Sequence, residues 1–105
     1  MKVAITSTGN SPDSMLDPRF GRCSWFVIYD TITGSIEFLP NPFRNEEENV
    51  AEKSINLVNC RKVEKIISGE YGEKNKLQLD SLNIQLIVLP NCQISIQEII
   101  NLLNH

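Results

Sequence analysis

Two arginines in one short segment are the side chains of this sequence best suited to chemistry. Within Asp17–Arg22 the order is Asp-Pro-Arg-Phe-Gly-Arg, so Arg19 and Arg22 lie on either side of a glycine. Arginine presents a planar fork of donors that binds carboxylates, phosphates and other anions, and Gly21 lets a backbone approach a ligand closely. The segment therefore predicts an anion-binding loop.

A second candidate is the glycine turn Ser-Gly-Glu-Tyr-Gly at residues 68–72, between a predicted strand and a predicted helix. Glycines at such a junction expose backbone N–H groups that can cradle an anion. Gly69 and Gly72 are therefore candidate binding residues. The segment has neither a dinucleotide-binding glycine pattern nor a phosphate-loop lysine, and glycine is also the usual turn residue.

Two of the three cysteines are candidate metal ligands. Cys23 directly follows the arginine segment, and Cys92 lies shortly before a helix start at Ser95. A thiol near arginines or a helix N-terminus is stabilised as the thiolate, the form that binds metals. Cys60 lies away from these loops, and His105 is terminal, so neither is a candidate.

Each of these predictions has an ordinary structural alternative. Arg19 can pair with Asp17 or Asp30, with Phe20 filling the core, because surface ion pairs are common. Both cysteines can be small buried hydrophobic residues.

Enzyme chemistry is hard to place on this chain. The only histidine is terminal, so no internal imidazole can act as a base near neutral pH. The first predicted strand, residues 2–6, contains no acid that could be a ligand of a two-metal nuclease site. No strand-turn-helix nucleophile elbow is present. We therefore expect a protein without enzymatic activity.

The elements that must position these residues alternate along the chain. Aromatic and β-branched runs predict strands, and apolar residues at three- and four-residue steps predict helices. The predicted strands are residues 2–6, 25–30, 35–39, 63–68 and 84–89, and the predicted helices are residues 46–60, 73–82 and one starting at Ser95. A hairpin followed by strand-helix units predicts a three-layer α/β/α domain with a mixed five-stranded sheet, an order that resembles the ribonuclease H architecture.

The sequence also predicts where the helices begin and end. Ser95 and Glu98 have capping-box spacing, with Ile96, Ile99 and Ile100 on the predicted buried stripe. Asn83 is expected to end the preceding helix in a left-handed conformation. The acidic triplet Glu46–Glu48 is expected in the first turn of its helix, where carboxylates meet the positive end of the helix dipole.

Composition bounds the class of protein. The chain has 105 residues, 41% of them hydrophobic, which is enough for one domain at 1–105 without a metal or disulfide staple. The formal net charge of −3 argues against a nucleic-acid partner. No stretch approaches the length that crosses a bilayer, and no signal peptide is evident, so we expect a cytoplasmic protein without a membrane partner.

Taken together, four segments resemble the dinitrogenase iron-molybdenum cofactor-binding family: residues 16–22, residues 25–30, Thr33-Gly34 and Pro40-Asn41-Pro42. The Gly69-x-x-Gly72 turn extends the similarity over nearly the whole chain. The resemblance implies a ribonuclease-H-like fold without nuclease activity. It also implies binding or carriage of an iron-molybdenum cofactor, or of its iron-sulfur precursor, in contact with cofactor-assembly proteins.

The resemblance places that cargo at the arginine segment. Arg19, Phe20, Gly21 and Arg22 would contact the anionic cluster, and a thiolate of Cys23 or Cys92 could ligate iron. Where the family usually has a glycine-rich segment, this chain has Glu46–Glu48, which would repel an anion if those side chains faced the pocket. The alternative function is a regulatory or interaction module whose arginines bind an acidic partner or a small anionic metabolite.

Overall fold

The computed structural model describes residues 1–70 and 73–104, apart from the side chain of Glu73. The strands are β1 (Lys2–Ser7), β2 (Trp25–Asp30), β3 (Ile36–Pro40), β4 (Lys65–Ser68) and β5 (Gln85–Val88). The helices are α1 (Val50–Asn59), α2 (Lys76–Ser81) and α3 (Ile96–Leu103), with a short 3₁₀ helix at Glu73–Asn75 ahead of α2.

The five strands form one mixed sheet in the order β3-β2-β1-β4-β5. β2 pairs antiparallel with both β1 and β3, whereas β4 pairs parallel with both β1 and β5. The β1–β2 register runs from Lys2 opposite Asp30 to Ser7 opposite Trp25. The predicted α/β class, the hairpin and the mixed five-stranded sheet are confirmed.

Alternate residues of the central strand belong to two separate hydrophobic clusters, as the two-residue period of a strand requires. Ala4 belongs to a cluster with Ile55 of α1 and Leu79 of α2. Val3 and Ile5 belong to a cluster with three isoleucines of α3, namely Ile96, Ile99 and Ile100. One cluster thus joins the central strand to α1 and α2, and the other joins it to α3.

Helix α1 begins later than the sequence pattern predicts. Its first residue is Val50, and Asn49 before it has a left-handed φ of 57°. The acidic triplet Glu46–Glu48 therefore precedes the helix, and the acid in the first turn is Glu52. A turn precedes the triplet, in which the Glu46 N–H donates to the Phe43 carbonyl at 3.0 Å.

The other two helix boundaries follow the predicted caps closely. Asn83, with φ of 57°, lies just past α2 in the expected left-handed conformation. Ser95 is the N-cap of α3, and its Oγ accepts a hydrogen bond from the Glu98 N–H at 3.1 Å. The Glu98 carboxylate accepts from the Ser95 hydroxyl at 3.3 Å, where a capping box would have it accept from the Ser95 backbone N–H.

All three helices are short. The longest, α1, has 10 residues. Among residues 1–70 and 73–104, no helix has the length and apolar character needed to cross a membrane.

Candidate functional site

A cleft of about 870 Å³ opens where β1 and β4 end. It lies between residues 17–22, called here the arginine loop, the first turn of α1, and the segment after β4. Its lining residues are Arg19, Phe20, Gly21, Arg22, Asn49, Val50, Ala51, Glu52, Glu70, Lys74 and Asn75. The volume falls in the range of about 300–1,000 Å³ that small-molecule sites occupy.

Arg19 is bound by the carboxylate of Asp17. Its Nε and Nη2 donate to the two carboxylate oxygens of Asp17 at 3.1 and 3.0 Å. Asp17 is 1% exposed and the Arg19 side chain 56% exposed, so the anion is buried and the cation is open to the cleft. These hydrogen bonds, followed by the charge of Asp17, raise the pKa of Arg19. The structural alternative, pairing with Asp17, is therefore observed, and Arg19 still lines the cleft.

β1 fixes the start of the arginine loop through the buried residue Thr6. The Asp17 N–H donates to the Thr6 carbonyl at 2.9 Å, and Thr6 Oγ1 donates to the Asp17 carbonyl at 2.7 Å. Both residues are fully or almost fully buried. The residue whose carboxylate holds Arg19 is thus anchored through its backbone to the central strand of the sheet.

The middle of the arginine loop packs onto α1. Phe20 is 4% exposed and belongs to the cluster beneath α1 and α2, as the structural alternative proposes. A Cβ on Gly21 would lie 2.7 Å from the Cα of Ala51, so only glycine fits there without displacing backbone. The Gly21 carbonyl also accepts from Ser54 Oγ at 2.8 Å and from Asn41 Nδ2 at 3.0 Å.

Arg22 holds the segment that leads into α1. Its Nη1 donates to the carbonyls of Arg44 and Glu46 at 3.1 and 2.8 Å. The Glu46 side chain turns to Lys53, with Oε1 and Nζ 2.6 Å apart. None of the three glutamates of Glu46–Glu48 lines the cleft, so their carboxylates are not placed against a ligand there.

The first turn of α1 is a part of the cleft that the sequence analysis missed. Asn49 provides no side-chain cap, so the N–H groups that begin the helix have no acceptor from it. Uncapped N–H groups and the helix dipole attract anions. The acidic triplet hid this feature, because it placed the expected helix start earlier in the chain. The change to α-helical spacing at Val50 was the available signal.

Cys23 is placed as a core residue. It is fully buried among the residues beneath α1, and burial, followed by the charge of Asp17, raises the pKa of its thiol to about 12. The protonated thiol is therefore the stable form near neutral pH. Because metals bind the thiolate, this environment disfavours the predicted role of Cys23 as a ligand.

Cys92 is half-buried and packs against the cluster beneath α3. A Cβ on Gly69 would lie 2.6 Å from Cys92 Sγ and 2.7 Å from the Cα of Pro18. Gly69 thus allows close packing, and neither it nor Cys92 lines the cleft. Gly72, the other predicted glycine, lies outside the described residues, as does His105.

The two cysteines predicted as metal ligands pack in different parts of the protein. Cys23 packs with the first hydrophobic cluster and Cys92 with the second. Within the described ranges, no group of three or more His, Cys, Asp or Glu side chains could hold a metal ion. The cleft itself is lined by hydrogen-bond donors and charged side chains.

Residues 1–105 match the family model described as dinitrogenase iron-molybdenum cofactor. The chain belongs to this family. Membership confirms the resemblance carried by the arginine segment and the hairpin. None of the curated proteins is significantly similar to the chain in sequence.

Two solved structures have a fold similar to that of this chain over most of its length. A Thermotoga protein assigned to NifB and to the DUF35 family has 26% identity and a TM-score of 0.81, over 97% of this chain and 85% of that one. The apo form of the orange protein from Desulfovibrio gigas has 22% identity and a TM-score of 0.86, over 95% and 83% of the two chains. The second similarity, at this identity, shows the fold alone.

In this member of the dinitrogenase iron-molybdenum cofactor family, the cleft mixes both signs of charge. Arg19, Arg22 and Lys74 supply cations, and Glu52 and Glu70 supply carboxylates. The charge of Asp17 offsets that of Arg19, so an anion needs attraction from other groups. The positive end of the α1 dipole at its first turn supplies some of it. On the side of Arg22 and α1, a ligand with several negative charges would therefore meet the guanidinium and the first N–H groups of the helix, together with the carboxylate of Glu52 in the same turn.

Proposed function

We propose that the chain is a non-enzymatic binding or carrier protein for an anionic iron-molybdenum cofactor or its iron-sulfur precursor. Membership of the family supports the class of cargo. The observation that carries the proposal is that Arg19, Arg22, Lys74 and the uncapped first turn of α1 all line one cleft. Such a site binds a negatively charged object of small-molecule size.

The cargo is held by hydrogen bonds and charge. Guanidinium groups suit anionic acceptors such as carboxylates on the outside of a cluster, and Gly21 lines the cleft without adding a side chain to it. Iron ligation by Cys23 has no part in this proposal, because its thiol is buried and protonated. A carrier benefits from this arrangement, since a cluster held without covalent bonds can be passed on.

We also propose a layer arrangement, a single domain and a cytoplasmic location for the protein. The placement of α1 and α2 over one cluster and of α3 over the other supports a three-layer, ribonuclease-H-like arrangement. Residues 1–105 would form one domain that acts in the cytoplasm. Cofactor-assembly proteins would deliver the cargo to the open side of the cleft and collect it there.

The direct test is anaerobic mixing with isolated iron-molybdenum cofactor, followed by gel filtration and iron analysis. We expect iron to comigrate with the wild-type chain. Arg22→Gln should lower the retained iron by about tenfold, the scale of a lost charge-assisted hydrogen bond. Arg61→Gln is the matched control, because Arg61 is an exposed arginine paired with Glu37 and does not line the cleft. Absence of iron from the wild-type fraction would overturn the proposal.

The second candidate is an interaction module that binds an acidic partner or a small anionic metabolite through the same loop. The buried, protonated Cys23 favours it, since cluster proteins commonly use thiolates. In this case the wild-type chain retains no iron, while Arg22→Gln still weakens capture of citrate or of an acidic peptide. Cys92→Ser should leave this capture unchanged, whereas loss of retained iron in Cys92→Ser would favour the cluster and a thiolate ligand.

A further inference from the structure

The two peptide groups that flank the Arg19 Cα each donate a hydrogen bond to a carboxylate. Its own backbone N–H donates to Asp17 Oδ1 at 2.9 Å. The next N–H, which belongs to Phe20, donates to Glu70 Oε1 at 2.8 Å, across 50 positions of sequence. The peptide planes on either side of the Arg19 Cα are thus fixed, and so is the direction in which its side chain leaves the backbone.

The two carboxylates have different origins. Asp17 lies within the arginine loop and is anchored to β1 through Thr6. Glu70 comes from the turn after β4 and is exposed, with its carboxylate on the wall of the cleft. Its charge is also among the smaller causes that raise the pKa of Arg19, after the hydrogen bond and charge of Asp17. The Glu70 carboxylate therefore links the β4 turn to the loop at the peptide that joins Arg19 to Phe20.

Neighbouring contacts do not replace this link. Gly69 packs against Pro18, which brings the β4 turn close to the start of the loop. Gly21 is tied to Ser54 of α1. Between these points, the Phe20 N–H depends on Glu70 for its acceptor. The glycine turn thus contributes an acceptor to the site, where the sequence pattern predicts a cradle of N–H donors.

From this geometry we infer that Glu70 is a positioning residue, which sets the orientation of Arg19 toward a ligand by binding the Phe20 N–H. The inference deepens the proposed function and rests on it for the identity of the ligand. Glu70 has two opposed effects on an anionic ligand. Its hydrogen bond orders the arginine loop, and its negative charge repels the ligand.

Two substitutions separate these effects. Glu70→Gln keeps a side-chain oxygen that accepts from the Phe20 N–H and removes the charge, whereas Glu70→Ala removes both. Glu52→Gln is the matched control for charge, because Glu52 lines the same cleft and its side chain makes no hydrogen bond in the described part of the chain. Since Glu70 is exposed, all these variants should fold.

The first measurement needs no ligand. Amide hydrogen exchange of the Phe20 N–H, followed by NMR, should accelerate about tenfold in Glu70→Ala, as expected for loss of a hydrogen bond to a charged group. In Glu70→Gln, which keeps a neutral acceptor, the exchange rate should rise less, by about two- to fivefold over the wild-type rate. Equal rates in wild type and Glu70→Ala, or equally fast exchange in both variants, would overturn the inference.

The second measurement uses isolated iron-molybdenum cofactor under anaerobic conditions. We expect Glu70→Ala to bind it about three- to tenfold more weakly than wild type, and Glu70→Gln to bind as well or more tightly. Tighter binding by Glu70→Ala, equal to that of Glu52→Gln, would show that Glu70 acts only through its charge. If no chain binds the cofactor while Glu70→Ala alone exposes the Phe20 N–H, the proposed function fails and the positioning role stands.

Discussion

The carboxylate of Asp17 and the guanidinium of Arg19 form two hydrogen bonds, of 3.1 and 3.0 Å, across a boundary between core and solvent. Asp17 is 1% exposed and the Arg19 side chain 56% exposed. The two partners of this pair are therefore not equivalent, because only one of them becomes an isolated buried charge when the other is removed.

Arg19→Ala should consequently destabilise the protein more than Asp17→Asn does. In Arg19→Ala the buried Asp17 carboxylate keeps the backbone N–H of residue 19 as a hydrogen-bond donor and loses the guanidinium. We expect this to lower the free energy of unfolding by about 3 kcal/mol. Asp17→Asn leaves an exposed guanidinium that water can solvate, at a cost of about 1 kcal/mol. Urea unfolding measures both. The double variant should recover much of the loss, and equal costs for the two single variants would contradict the asymmetry.

Substitution of Gly21 by alanine should weaken the packing of the arginine loop on α1. A Cβ there would lie 2.7 Å from the Cα of Ala51, which is backbone and cannot rotate away. We expect a loss of about 1–3 kcal/mol in the free energy of unfolding, as for other overpacked sites. Ser35→Ala, in the exposed turn before β3, is a control expected to stay within about 0.5 kcal/mol. A Gly21→Ala protein as stable as wild type would contradict this prediction, because it would show that α1 moves away from the added Cβ at no cost in stability.

Stability should fall in alkaline solution because of Cys23. The folded protein raises the pKa of this thiol from 9.0 to about 12, so the unfolded chain releases the proton first. The contribution is complete below pH 9.0 and is lost as the pH rises toward about 12. Its slope is at most about 1.4 kcal/mol per pH unit. Urea unfolding between these limits should show a shallower decline in Cys23→Ala than in wild type.

The same burial makes a chemical prediction at neutral pH. Iodoacetamide should alkylate the exposed Cys60 in the native protein and leave Cys23 unmodified until urea is added. Mass spectrometry of the peptides separates these sites. Rapid native alkylation of Cys23 would mean that the thiol is accessible as a thiolate, which would restore it as a candidate metal ligand.

Charge removal inside the cleft should tune anion affinity without changing the fold. Glu52→Gln removes a carboxylate from the lining and should tighten binding of isolated iron-molybdenum cofactor about two- to fivefold. Lys74→Gln should weaken it by a similar factor. Glu64→Gln is the control, because this exposed acid precedes β4, at the end of the strand opposite the cleft. All these differences should shrink in 0.5 M salt, since the Debye length is then about 4–5 Å.

The sequence predicted the elements well wherever the signal was local. The β2–β3 hairpin matches its aromatic and β-branched residues, and Ser95 caps α3 because the serine hydroxyl and the Glu98 N–H are close in the chain. Asn83 likewise has the left-handed conformation that its side chain tolerates. These features depend on residues a few positions apart, whose chemistry is visible in the sequence.

The prediction failed where a distant contact decides the conformation. Glu46–Glu48 lie outside α1 because Arg22 binds the Glu46 carbonyl and Asn49 turns left-handed, and neither event is encoded by spacing within the segment. The acceptor role of Glu70 toward Phe20 spans 50 positions, so no local pattern contains it. Cys23 has a thiolate-favouring sequence neighbourhood, but its actual surroundings are the hydrophobic side chains beneath α1.

The arginine loop is part of the long connection between β1 and β2, called here the excursion, and these two strands are paired along their whole length. Ser7 and Trp25 remain opposite each other in the β1–β2 ladder, and Thr8 to Ser24 leave and return through those fixed ends. The outer part of this excursion is tied to the start of α3, because the carbonyls of Pro12 and Ser14 accept hydrogen bonds from the N–H groups of Gln97 and Ile96 at 3.0 and 2.8 Å. An insertion or deletion there would therefore reach the helix packed on the far side of the chain from the cleft as well as the loop itself, whereas the β1–β2 register is fixed by its own pairing.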